Sequence, residues 1–142
     1  MPVRTASAQW DGKLSDGKGT MRLGSGAYEG PYSFASRFED GKGTNPEELL
    51  GAAHAGCFSM ALAAALTKSG FAPKRVSTTA SVSIDKGAEG FSITSITLTT
   101  EAEVPGVDEK QFLEFAENAK KGCPVSKALA GTRIELKATL AG

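Results

Sequence analysis

Apolar and polar positions along this chain change their period several times, and each change marks an element. Over the first forty residues the apolar positions alternate in short runs, 3–10, 19–23 and 32–38, divided by Gly- and Asp-rich stretches. Period two bounded by turn formers predicts three strands. Asp-Gly-Lys-Gly-Thr occurs at 16–20 and again at 40–44 between unlike flanks, which is turn chemistry used twice and not a duplicated unit. A phosphate loop needs Ser or Thr directly after Gly-Lys, and here Gly43 follows Lys42.

The next run is longer and of a different kind. Asn45 can cap a helix, Pro46 fits the first helical position, and Glu48 stands at the capping-box position. The pattern predicts a helix over about 46–69, stopped at Gly70 with Pro73 beyond. Its apolar residues occur all round, so it should be buried on every side. A chain of 142 residues rarely surrounds such a helix alone, and a partner subunit is expected. The stretch 49–66 has the length of a membrane span, but it is rich in alanine and carries Gly51, His54, Gly56 and Ser59, which favours a core helix.

Val76, Thr78, Ala80, Val82 and Ile84 then alternate as a half-buried strand. In the strand that follows, Phe91 and Ile93 share one parity while Ile96 and Leu98 share the other, which predicts a bulge or cover on both faces. After Pro105-Gly106, Asp108 and Gln111 form a second capping-box pattern, and Phe112, Leu113, Phe115, Ala116 and Ala119 keep helical spacing up to Gly122. These aromatics read as core, not as cofactor contacts. A short helix over 124–130 and a strand through Ile134, Leu136, Ala138 and Leu140 end the chain. The order of elements predicts one α+β domain over 1–142.

Sixteen basic and sixteen acidic residues cancel, so no global field draws the protein to nucleic acid or an anionic membrane. No basic stretch followed by an apolar one opens the chain, and the cytoplasm is the expected compartment. In a reducing cytosol a static disulfide is unusual, whereas a transient catalytic one is not.

The two cysteines have unlike settings. Cys57 lies within the apolar helix and Cys123 between Gly122 and Pro124. They suit a dithiol/disulfide cycle, and they suit equally a small core residue beside an inert loop residue. A peroxide-reducing thiol must present thiolate. Cys57 sits about ten residues into its helix, beyond the reach of the macrodipole, so it needs a cation from elsewhere. A guanidinium at about 4 Å supplies roughly 4 kcal/mol at an effective dielectric of 20. Cys123 stands at the start of a helix opened by Pro124, near Lys120 and Lys121, so local features alone make it the more acidic thiol. They leave the order of the two thiols open. His54 and Cys57 are half of a zinc pattern, but with one histidine and one further cysteine the chain lacks ligands for a closed site. No metal is expected, and His54 reads as a satisfied core or interface residue. On residue type alone, Arg37 is a solvated charge on its strand and Glu47 a helix-dipole residue in a first turn.

The stretch Gly43-Thr44-Asn45-Pro46-Glu47-Glu48-Leu49-Leu50-Gly51-Ala52-Ala53-His54-Ala55-Gly56-Cys57-Phe58-Ser59-Met60-Ala61-Leu62, with Gly122-Cys123-Pro124-Val125-Ser126 later, closely resembles the osmotically inducible (OsmC) branch of the OsmC/Ohr family. The likeness runs from Ala8-Gln9-Trp10 to the last strand, and His54 stands where the organic hydroperoxide resistance branch usually has an aromatic. Gly56, where alanine is frequent, is a mild departure. The resemblance implies antiparallel sheets around a long central helix, in an intertwined homodimer with shared active sites. It implies a thiol peroxidase that reduces organic hydroperoxides, and hydrogen peroxide less well. Cys57 matches the peroxidatic thiol and Cys123 the resolving thiol, which would close a Cys57–Cys123 disulfide. Arg37 matches the arginine that activates the thiolate, and Glu47 the carboxylate that holds it. No bound cofactor is implied. An external dithiol, dihydrolipoyl groups in relatives, would restore the pair. Ten residues of helix set Glu47 and Cys57 about 15 Å apart on different faces, so the resemblance places their meeting across a dimer interface. Phe38, Phe58 and Met60 are expected to suit an organic substrate. A binding protein that senses a small apolar or electrophilic ligand through the same cysteines is the alternative.

Overall fold

The computed structural model describes residues 1–141. Contacts divide the chain into two compact units, Met1–Leu49 and the rest from Leu50 onward.

The first unit is a three-stranded antiparallel sheet in the order β1 (Ala6–Asp11), β2 (Lys18–Leu23), β3 (Glu29–Tyr32). Trp10 and Tyr32 close over Gly19 with ring centroids 5.4 Å apart. A Cβ at residue 19 would run into the rings of Tyr32 and Trp10, so the tilted pair requires glycine there. The expected strand over 32–38 is not formed. The chain turns after Tyr32 into a short helix, α1 (Phe34–Phe38). Ser33 caps it by accepting from the Ser36 N–H at 3.1 Å, while the Ser33 N–H donates to Ser36 Oγ at 2.8 Å. Phe34 and Phe38 are two steps of two apart and also one helical turn apart. The reciprocal cap selects the turn, and their rings pack 5.1 Å apart.

The helix start expected at Asn45 is present. Glu48 N–H donates to Asn45 Oδ1 at 2.8 Å, and α2 runs over Pro46–Lys68. The Glu48 side chain does not close a capping box; it accepts from Thr44 Oγ1 at 2.8 Å. Gly70, at φ +91°, ends the helix as expected.

The second unit packs α2 from Leu50 onward, with α3 (Glu109–Gly122) and α4 (Pro124–Ala128), on a sheet ordered β4 (Arg75–Gly87), β5 (Gly90–Glu103), β6 (Arg133–Ala141). β4 and β5 are antiparallel. β6 returns parallel to β5, as a crossover through α3 and α4 allows. Ser83 faces Ser95 and Ile84 faces Ile93, so Thr94 is the extra residue that switches the parity of β5. Its hydroxyl donates to Asp85 on β4.

The core joins one stripe of α2, Phe58, Leu62 and Leu66, to Ile96 and Leu98 of β5 and Phe112 of α3, all fully buried. Ser59 donates to Thr78 at 2.7 Å, and Thr78 meets Thr100 at 2.9 Å, so the polar positions under α2 are paired. Among the described residues of the second unit, α2 is covered on this stripe and on Gly51 and His54 in line with it. Ala53, Gly56, Met60 and Ala64 lie exposed, Met60 at 77%. A single chain therefore does not provide the all-round burial that the composition of α2 predicts.

Candidate active site

The four residues singled out in the sequence come together as two pairs. In the first unit, α1 presents Arg37 to the first turn of α2. Arg37 Nε donates to Glu47 Oε1 at 3.0 Å and Nη2 donates to Oε2 at 2.9 Å. This two-point geometry fixes the plane of the guanidinium as a single contact would not. The Glu47 side chain is 8% exposed and that of Arg37 36%, so the carboxylate is the anchor and the guanidinium keeps an open face. Arg37 is thus a helix residue, not an edge charge on a strand. Ser36 Oγ donates to Thr44 O at 2.7 Å and Asn45 Nδ2 donates to Ser36 O at 3.0 Å, which ties α1 to the start of α2. The Arg37 guanidinium also lies 5.2 Å from the Phe38 ring. Beside it opens a recess of about 360 Å³, lined by Trp10, Leu14, Tyr32, Phe34 and Phe38. Of the three apolar residues expected to suit a substrate, Phe38 lines this recess, Phe58 is spent in the core and Met60 lies on the exposed stripe of α2.

In the second unit, Cys57 on α2 meets Cys123, the residue between α3 and α4. Both are free thiols, and Cys123 Sγ lies 2.8 Å from Cys57 Sγ, donating to it. Cys123 is fully buried and closes α3 by donating its N–H to Ala119 O at 2.9 Å. Burial pushes the Cys57 thiol up, and the hydrogen bond and charge of Cys123 push it further, against one opposing Val125 N–H. Burial also acts to raise Cys123. Hydrogen bonds from Cys57, from the N–H and hydroxyl of Ser126 and from the Val125 N–H outweigh it and bring Cys123 down. Within one chain the local groups thus favour ionisation of Cys123 over Cys57. The direction of these shifts agrees with the local preference for Cys123 as the more acidic thiol, expected from its place before Pro124.

His54, one turn before Cys57, is fully buried. Its Nε2 lies 2.7 Å from Ser126 Oγ, while Nδ1 has no partner among the described residues. Burial holds its pKa below the usual histidine value. His54 is a core residue as expected, but only half satisfied. Ser126 is the residue that sequence reasoning did not single out. The available signal was its spacing, three positions after Cys123 in the first turn of a helix, where a hydroxyl and an N–H can turn back on the preceding sulfur.

Comparison with known proteins agrees over nearly the whole chain. Residues 39–137 match the OsmC family, described as OsmC-like protein. The chain is 51% identical over 127 residues to Peroxiredoxin OsmC of Escherichia coli, covering 89% of each. It is 35% identical over 102 residues to the Organic hydroperoxide resistance protein of Xanthomonas axonopodis pv. citri, covering 71% of this chain and 69% of that one. Among solved structures, the organic hydroperoxide resistance protein OhrB of Bacillus subtilis superposes with a TM-score of 0.68 at 25% identity, over 96% of this chain and 98% of its own. With a family match over residues 39–137 and half of its positions identical to a relative over most of both chains, the chain belongs to the OsmC family.

Proposed function

We propose that this protein is a thiol-dependent peroxidase that reduces organic hydroperoxides, and hydrogen peroxide less well. The Cys57 thiolate attacks the peroxide O–O bond, one oxygen stays on sulfur as a sulfenic acid, and the alcohol departs. Cys123 then condenses with the sulfenic acid to an intramolecular disulfide and water. An external dithiol, of the dihydrolipoyl kind, reduces it by exchange, and no bound cofactor or metal takes part. A transient disulfide of this kind suits the cytoplasm. The observation that carries the reading is the 2.8 Å approach of the two sulfurs in a chain 51% identical to a protein named a peroxiredoxin. The aromatic recess beside Arg37 supports an organic substrate over hydrogen peroxide, because it offers apolar surface that only a carbon chain fills.

Local groups make Cys57 the harder thiol to ionise, so the order of the thiols rests on a cation. Arg37 supplies it in this reading, held by Glu47 and delivered from a second copy of the chain. The exposed apolar stripe of α2 around Met60 supports such a homodimer. One equivalent of cumene hydroperoxide should give a Cys57–Cys123 disulfide within one chain by mass spectrometry, and added dithiol should sustain turnover. Consumption that stops at one equivalent with dithiol present would leave a ligand-sensing protein instead.

A further inference from the structure

The recess beside Arg37 is lined from three directions. Trp10 and Tyr32 bring it an aromatic pair from the sheet, and Phe34 and Phe38 a second pair from α1. Ser33 also lines it, but its hydroxyl accepts from the Ser36 N–H and is engaged in the α1 cap. Charge enters through Arg37, which Glu47 holds by two bonds with one face left open. The rest of the lining, Gly12 and Leu14, comes from the turn between β1 and β2. That turn reads Gly12-Lys13-Leu14-Ser15-Asp16-Gly17, and Leu14 is its single large apolar side chain. Leu14 is 64% exposed. A lone exposed leucine is ordinary on a protein surface. This one differs in lining an aromatic recess from a turn that is held in one shape. Gly12 takes φ +97°, the Gly17 N–H donates to Lys13 O at 2.7 Å, and a Cβ at Gly17 would run into Lys13 O and Trp10 Nε1. The turn is thus folded down against Trp10, and Leu14 stands on a fixed base.

We infer that Leu14 is a specificity-determining residue: it covers the carbon group of the substrate in this recess, and so selects hydroperoxides bearing a bulky aryl group over tert-butyl hydroperoxide and hydrogen peroxide. The inference rests on the reading of an organic hydroperoxide as substrate with Arg37 facing its oxygens. Such a molecule has one polar and one apolar end, and the recess is divided in the same way. The open face of Arg37 suits the peroxide oxygens, and the four rings suit an aryl group, which packs edge-to-face or offset against them. In the empty recess Leu14 is wet. When an aryl group enters, its surface and that of Leu14 leave water together, which is the favourable term. A tert-butyl group has less apolar surface to bring under Leu14, and hydrogen peroxide has none. The carbon group does not change as the O–O bond breaks, so this contact is as strong before the reaction as during it. It therefore acts on binding, through KM, and not on kcat.

Removing the apolar cover should change selectivity. Leu14→Ser alters an exposed side chain, so the variant should fold as wild type does. With dithiol in excess, kcat/KM is measured for cumene hydroperoxide, tert-butyl hydroperoxide and hydrogen peroxide in wild type, Leu14→Ser and Leu14→Met. The ratio of cumene hydroperoxide to hydrogen peroxide should fall about tenfold in Leu14→Ser, the size of effect that a small loss of apolar contact has in a hydrophobic pocket. The loss should lie in KM for cumene hydroperoxide. The ratio of tert-butyl hydroperoxide to hydrogen peroxide should fall less. Leu14→Met keeps the apolar bulk and should keep most of the wild-type ratio. An unchanged ratio in Leu14→Ser overturns the inference, including the case in which all three substrates slow alike, the mark of a general disturbance of the site. A fall in Leu14→Met as large as that in Leu14→Ser overturns it too, since apolar cover is then not what counts. Wild type is the control for the underlying reading. If it reduces hydrogen peroxide as well as cumene hydroperoxide, the organic-substrate reading fails and the inference with it. A wild-type preference for cumene hydroperoxide that Leu14→Ser leaves intact sinks the inference alone.

Discussion

Arg37 and Glu47 are 10 positions apart and joined by two charge-assisted hydrogen bonds, whereas Cys57 and Cys123 are 66 positions apart and meet through one sulfur contact. The first pair is made by local means: a reciprocal serine cap turns a short helix, and two hydrogen bonds lash it to the next helix start. The second pair is made by topology, because the crossover from β5 to β6 brings the α3–α4 junction onto α2. Their chemistry is complementary. The first region holds a cation already aimed and anchored but carries no nucleophile. The second holds two nucleophiles, and the groups that shift Cys57 include no cation among the described residues. Each region is incomplete as a catalyst in a different respect. The proposed homodimer, with its site assembled from two chains, would make both halves useful and make assembly a condition of activity.

The sharpest way to break this comparison is to cripple one region at a time and mix. Cys57→Ser should consume almost no peroxide. Arg37→Ala should lose on the order of a hundredfold in rate at pH 7, since an adjacent cation lowers a thiol pKa by about 1–3. If Arg37 of one chain serves Cys57 of the other, a mixed dimer of these two variants holds one intact site. Subunit exchange should then restore about a quarter of wild-type activity, half the dimers being mixed and one site in each being whole. Mixtures as inactive as their components would put the cation and the thiol in the same chain.

Assembly can be attacked directly through the exposed stripe of α2. Ala64 is solvent-exposed in a single chain, so Ala64→Glu should fold as a monomer. In a dimer closed over α2 the same carboxylate is buried without a partner, which costs about 3–5 kcal/mol. Sedimentation should show monomers at micromolar concentration, with a native circular dichroism spectrum and most of the peroxidase rate gone. A monomeric variant with full activity would mean that the two regions need no second chain.

How much of this was legible in the sequence follows the same division between local and topological causes. Locally determined features were open to reading. The parity change in β5 foretold the bulge at Thr94, Asn45 foretold the start of α2, and Cys123 before Pro124 foretold the more acidic thiol. The larger of two local errors, a strand over 32–38, arose because Phe34 and Phe38 satisfy period two and period four alike, and a Ser33–Ser36 cap decides between them; the other, a capping box at Glu48, failed because that side chain pairs with Thr44 instead. What stayed hidden depends on the crossover. The 2.7 Å contact of His54 with Ser126 spans 72 positions, and neither residue carries a local sign of the other. The pairing of the cysteines, equally remote in sequence, was expected only because the chain resembles a family.

The smallest expected effect tests the thiol region through its own buried titratable group. Burial lowers the His54 pKa in the folded chain below the unfolded value of 6.5. Between the folded and unfolded values the unfolded chain binds more protons, so stability rises with pH there and falls on acidification. The contribution is fully present above pH 6.5 and is lost as the pH drops from 6.5 to the folded pKa, at a slope of at most about 1.4 kcal/mol per pH unit. Urea midpoints should be compared at pH 7.5 and 5.5, at one protomer concentration, for wild type and His54→Gln. Carboxylates affect both proteins alike, so the difference between them isolates His54. Wild type should lose more stability than the glutamine variant over this interval. Equal losses would mean that His54 is protonated in the folded chain; the donor to Ser126 would then be an imidazolium, and the buried Nδ1–H would need a partner that a neutral ring does not.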